Sequence, residues 1–209
     1  MLKLIRDVIP LKPDVVLSYN GFNDLWLYPF QYGRPERKSK PFITDFQIDY
    51  VNKLLSKYPE MSRTIYCGLE NNKTAPEFWL DNVRMMRSLS NEFDILFLSF
   101  LQPFYYIGNY KLTDTQKTIF NRYLWTYNFQ APQFTKDSTD ERIAFIKSGA
   151  EEMRSMVKDL DYITDLTQIF SEHTNIYRDH VHVTELGNQI IAKNIQQVLV
   201  KHLDKGAVQ

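Results

Sequence analysis

The chain has 209 residues, with 25 basic side chains against 25 acidic ones and a formal net charge of zero. That balance provides no basic field for nucleic acid or an anionic membrane, and no apolar run approaches the roughly 20 residues of a membrane span. The one cysteine, Cys67, excludes an internal disulfide and a cysteine-rich metal site, and 44 % hydrophobic with 14 % aromatic residues is a globular composition.

Leu2, Ile5, Val8 and Ile9 recur at helical spacing from the first residues, and Pro10 and Pro13 end that helix. Lys3, Arg6 and Asp7 interrupt the apolar residues, so the start does not read as a signal peptide. A chain that opens inside a helix reads as a fragment or an internal start, with further sequence upstream. Asp14 to Tyr19 is a nearly continuous β-branched and apolar run, the pattern of a strand buried on both faces in a parallel sheet, and Asn20-Gly21 breaks it. Residues 25–42 carry Trp26, Tyr28, Phe30 and Tyr32 and then a basic, Pro-containing stretch, read as a long surface loop. Thr44 with Gln47 suggests a capped helix carrying Ile48, Val51, Leu54 and Leu55.

Residues 59–75 read as irregular and polar, with Glu70 to Lys73 at the centre and Cys67 as a small core residue at a strand end. Pro76 suits the first turn of a helix with Trp79, Val83, Met86 and Leu89, ending near Asn91. Phe93 to Leu101 reads as a second buried strand, followed by Gln102-Pro103. Thr113 and Gln116 mark another helix start, with Phe120, Tyr123, Leu124 and Tyr127 behind them, and residues 129–138 form a polar loop. Ser138 with Glu141 has the form of a capping box ahead of the stripe Ile143, Ile146, Ala150, Met153, Val157 and Leu160. A short third strand spans Tyr162 to Leu166, a loop runs from Thr167 to Tyr177, and Thr184 caps a last helix. That helix carries Leu186, Ile190, Ile191, Ile195, Val198 and Leu199 on one face, and the tail 204–209 is polar.

Strands alternating with helices predict an α/β fold with a parallel sheet, one domain over residues 1–203, and insertions at 25–42 and 102–137 where α/β sheets place their ligands. The chemistry concentrates in two blocks. In Asp179-His180-Val181-His182 the Asp is three residues before a His, on a short loop running into a helix. That spacing lets the Asp179 carboxylate reach Nδ1 of His182 and leaves Nε2 free as a general base. Gly21-Phe22-Asn23-Asp24 closes the first strand. Read locally, that block can also be a plain turn. His180 and His182 could hold a metal through alternate side chains. The aromatic insertions could line a sugar or acyl site, or simply pack onto the sheet.

Together the two blocks resemble the G-x-N-D and D-x-x-H blocks of the SGNH (GDSL-type) hydrolases. Leu101-Gln102-Pro103 and Gly187-Asn188-Gln189 resemble bacterial members, and the likeness runs from the first helix to about residue 200. It implies a three-layer α/β/α fold whose N-terminal strands are missing from this sequence. It also implies an ester hydrolase or acyltransferase, with acetylated carbohydrate as the candidate substrate, and implies no cofactor and no metal. By the resemblance Asn23 donates to the oxyanion, Gly21 and Asp24 support that loop, His182 is the base and Asp179 orients it. His180 would be exposed or a loop-packing residue. The family's nucleophile lies in a Gly-Asp-Ser block, which occurs nowhere in this chain. Ser18 and Ser99 fall inside strands, where backbone bonding is expected of them, and Ser171 falls in a polar loop. None of the three has the strand-to-helix elbow that exposes a nucleophile. The alternative is a domain that lost its nucleophile and survives as a binding module.

Overall fold

The computed structural model describes residues 3–25, 74–108, 110, 113–118 and 136–206. Of the expected surface loop 25–42, Leu25 instead lies in a helical turn and is fully buried; the rest of that loop, the Thr44 helix, Cys67, the segment around Glu70 and the run Phe120 to Tyr127 lie outside the described residues.

The chain enters through one wide helical turn, Leu4–Val8, and a tighter one, Ile9–Leu11. Helix is what the spacing predicts there, but not a regular α-helix. Pro10 sits in the tight turn, and Lys12 then takes a left-handed φ of 52°. Strand β1 (Val15–Asn20) follows.

Helix α1 (Ala75–Glu92) starts on a full capping box. The Thr74 hydroxyl accepts from the Glu77 amide at 3.3 Å, and the Glu77 carboxylate accepts from the Thr74 amide at 2.7 Å. This Thr-x-x-Glu signal fixes the helix start better than Pro76 alone. Its apolar face buries Trp79, Leu80 and Val83. Phe93 and Asp94 then turn the chain, Asp94 with φ 55°, so strand β2 is Leu96–Leu101, shorter than the apolar run suggests. Phe93 is left 53 % exposed in that turn.

Helix α2 (Lys136–Val157) begins two residues ahead of Ser138, so Ser138 lies within the helix and is not its cap. Of the stripe it was expected to carry, Ile146, Ala150, Met153 and Val157 are buried and Ile143 is half-buried, while Leu160 lies past the end of the helix. Strand β3 (Ile163–Asp165) and helix α3 (Glu185–Gly206) complete the order. Thr184 caps α3 through its hydroxyl, which accepts from the Gly187 amide at 3.4 Å.

The three strands form one parallel sheet in the order β1-β2-β3, with Leu17 opposite Leu98 and Tyr19 opposite Phe100. The fold is therefore mixed α/β with a parallel sheet. Alternation along β2 divides the core. Phe97 and Leu101 join α1 and α2 in one cluster, while Leu98 and Phe100 join Ile190, Ile191, Ile195 and Val198 of α3 in a second.

Two expectations about this core are corrected. β1 is not buried on both faces, since Leu17 and Tyr19 are 44 % and 38 % exposed. Val16 packs into the first cluster, but α3 covers β2 rather than β1, where Leu98 and Phe100 are buried. Leu186 is 52 % exposed, because it lies about 140° around the helix from the buried Ile191.

Among the described residues, no helix is long and apolar enough to cross a membrane.

Candidate functional site

Parallel strands send every following loop to the same end of the sheet, and side chains from separate parts of the chain meet there. The loop after β1 begins at Gly21, whose φ of 118° is open to glycine. A Cβ at Gly21 would also stand 2.6 Å from Cδ1 of Leu101. The end of β1 is tied down from the side. Asn20 accepts from Trp79 Nε1 at 2.7 Å and donates its amide to the Ser18 hydroxyl at 2.7 Å. A helical turn then covers residues 22–25, with the Leu25 amide donating to the Gly21 carbonyl at 3.4 Å. In that turn Phe22 and Leu25 are buried, while Asn23 is exposed. Burial pushes the Asp24 carboxyl up to about 6, against backbone hydrogen bonds within Asp24 and from Gly21 that favour its charge.

The Asp-x-x-His segment lies in a small loop closed by an antiparallel bridge between Tyr177 and Val183. The Arg178 amide donates to the His182 carbonyl at 2.8 Å. Inside the loop, Oδ1 of Asp179 accepts from the amides of Val181 (2.9 Å) and His182 (2.8 Å), and Oδ2 lies 2.6 Å from Nδ1 of His182. Burial raises the cost of that charge, but the amides of His182 and Val181 and the His182 ring outweigh it. The Asp179 carboxyl is held below its ordinary range. The Asp179 side chain is 10 % exposed and that of His182 76 %. The pair is thus a rooted carboxylate holding an imidazole that stands in solvent. With Nδ1 occupied by the carboxylate, Nε2 is the ring nitrogen available to an incoming group.

A third loop completes the group. The Gln102 amide donates to the Asn20 carbonyl at 2.8 Å and the Tyr105 amide to the His180 carbonyl at 2.9 Å. Desolvation pushes the pKa of the Tyr19 phenol up, and the Gln102 side chain acts against that shift. The Tyr110 hydroxyl accepts from the Ile176 amide at 2.9 Å, and the Gln116 side-chain amide donates to the Tyr177 carbonyl at 3.3 Å. Gln116 is positioned by the expected helix start: the Thr113 hydroxyl accepts from the Gln116 amide at 3.3 Å, and the Thr113 amide donates to the Gln116 side chain at 3.1 Å.

Rings close the junction between the loops. His180, 8 % exposed, lies 5.3 Å from the Phe22 ring and 6.3 Å from that of Tyr106, and Phe22 lies 5.1 Å from Phe104. The packing alternative expected for His180 is therefore the one found, and the exposed one is not. Neither Phe22 nor Tyr106 stood out in the sequence. A signal was present, since the residue that follows the first position of each short block, Phe22 and His180, is a flat ring.

His180 and His182 face different surroundings, one among rings and the other in solvent. Among the described residues no group of three or more His, Cys, Asp or Glu side chains is placed to hold a metal ion. The Ser18 hydroxyl accepts from the Asn20 side chain, and the buried Ser99 hydroxyl has no hydrogen-bond partner among the described residues. A cleft of about 510 Å³ between α2 and β3, lined by Arg154, Lys158 and Asp165 among others, includes none of the site residues. Comparison with family models, with curated proteins and with solved structures finds no match to this chain.

Proposed function

We propose that this chain carries the base, its orienting acid and one oxyanion donor of an SGNH-type ester hydrolase or acyltransferase. In this reading its core is a three-layer α/β/α domain, consistent with clusters on both faces of β2. His182 takes the proton of an attacking hydroxyl at Nε2. Asp179 holds its tautomer and stabilises the imidazolium. Asn23 donates its amide to the tetrahedral oxyanion, a contribution of about 10²–10³ in rate for one donor. Gly21 and Asp24 shape the turn beneath Asn23. The nucleophilic Ser belongs to a Gly-Asp-Ser block outside these 209 residues. The substrate is a small or carbohydrate-borne ester, acetyl in the first instance, for which the partly exposed rings of Tyr105 and Tyr106 offer flat contact surfaces.

The observation that carries the reading is the Asp179–His182 pair. A carboxylate is fixed by two backbone amides and bonded to Nδ1 of a His whose other edge is open.

The test compares p-nitrophenyl acetate turnover by three proteins: this chain, a chain extended by its in-frame upstream coding sequence, and the extended chain with His182→Ala. The expected result is background from the first, turnover from the second, and a loss of about 10⁴-fold or more in the third. Activity of the short chain that Ser18→Ala abolishes would place the nucleophile in β1 instead. A folded extended chain with Gly-Asp-Ser that is inert on acetylated sugars and short-chain esters would mark a binding module.

A further inference from the structure

We propose that His180 is a positioning residue whose ring, set between Phe22 and Tyr106, fixes the spacing between the Asn23 amide and the His182 imidazole. The roles of Asn23 and His182 rest on the reading above; the junction itself does not.

Asn23 and His182 are both exposed, His182 at 76 % of its side chain. Little protein surrounds either side chain, so their relative position is set by the backbone beneath them. Asn23 follows Phe22 directly, and Phe22 is 3 % exposed. His182 follows His180 by two residues, through the tight turn that Asp179 closes with its bonds to the Val181 and His182 amides. The ring contact between Phe22 and His180 therefore joins the two backbones one and two residues from the working groups. The loop after β2 locks the same point twice, through the Tyr105 amide on the His180 carbonyl and through the Tyr106 ring, which lies within 26° of parallel to the imidazole.

His180 is thus where the loops after all three strands meet. Rings in contact resist sliding in a way that exposed polar side chains do not. A misplacement of about 1 Å between reacting groups can cost about 10²-fold in rate. The contacts with Phe22 and Tyr106 are ring contacts, so on this proposal His180→Phe should keep them and His180→Leu should not.

The test has two arms. In the 209-residue chain, amide hydrogen exchange is measured at Leu25 and Tyr105 for the wild type, His180→Leu and His180→Phe. His180→Leu is expected to speed both amides about tenfold, the equivalent of losing about two ring contacts. Val181 and His182, held by Asp179, keep their protection, and His180→Phe stays within about threefold of wild type at every site. In the extended, active enzyme, His180→Leu is expected to lower kcat about 10²-fold with KM within about twofold. The pH profile of kcat/KM should not move, because the Asp179–His182 pair is intact, and His180→Phe should restore the rate.

Unchanged exchange at Leu25 and Tyr105 in His180→Leu overturns the proposal, as does a Phe variant no better than Leu. A loss of kcat with a displaced pH profile also overturns it, since the effect would then lie in the Asp179–His182 pair. If His180→Leu does not fold, Phe22→Leu removes one ring face and is held to the same outcomes. If His182→Ala leaves the extended enzyme at full rate, the hydrolase reading fails, and the exchange arm still decides whether His180 joins the loops.

Discussion

Asp179→Ala removes the carboxylate that organises the loop, and the expected cost can be built bond by bond. Oδ1 accepts two backbone amides at 2.9 and 2.8 Å, and Oδ2 meets His182 Nδ1 at 2.6 Å. A hydrogen bond to a charged partner is worth about 1.5–3 kcal/mol when its partner is left buried. The His182 contact is discounted, because that side chain is 76 % exposed and solvent screens it. The two amides dominate, and water reaches them in part once the side chain is gone, so the expected loss is about 3 kcal/mol. Asp179→Asn keeps one side-chain oxygen for the amides but loses the charge and replaces the oxygen facing His182 Nδ1 by an NH2 donor; with the solvent-exposed His182 contact discounted, about 1 kcal/mol is expected there.

The pH dependence has a definite sign. The Asp179 carboxyl titrates below its ordinary 3.8 in the folded chain. Its stabilisation is therefore complete above the unfolded value and disappears as pH falls through the folded one. Urea unfolding of the wild type and both variants at pH 7, and again as far below pH 3.8 as the chain stays folded, reads this out. The gap between wild type and Asp179→Ala should be widest at pH 7 and close in acid. A gap under about 0.5 kcal/mol at pH 7 would refute the reasoning, as would one that persists unchanged in acid.

Gly21→Ala is expected to destabilise by about 2 kcal/mol, from the 118° φ together with the close approach to Cδ1 of the buried Leu101, and a thermal melt checks it. Asp24 should behave opposite to Asp179. Its folded-state value of about 6 exceeds the unfolded 3.8, so stability should fall as pH rises between them. The effect is at most about 3 kcal/mol, and Asp24→Asn should flatten that part of a urea-midpoint profile. Trp79→Phe deletes the bond to Asn20 Oδ1 within a well-filled core and should cost roughly 1–2 kcal/mol by urea unfolding. A cost equal to that in an Asn20→Ala background would show the bond to be irrelevant.

The amino-acid sequence by itself determined the local features of this protein. Asp179 three residues before His182 is enough to bring carboxylate, two amides and imidazole together, because one tight turn of backbone does all the positioning. The Thr113 and Thr184 helix starts were legible for the same reason, since their partners lie within one turn of chain, and the α2 stripe was legible from its helical period alone. Thr74 and Glu77 form a signal of the same kind, overlooked because the polar residues before it read as loop. Tertiary structure alone decided which apolar residues are covered. Leu17 and Leu98 sit in similar apolar runs, yet only Leu98 lies under α3. It also decided that His180 enters a ring junction while His182, two residues on, stands in solvent. The partners of His180 come from the loops after β1 and β2, far away in sequence, and no periodicity within its own loop encodes a contact that exists only once parallel strands have brought those loops to one end of the sheet.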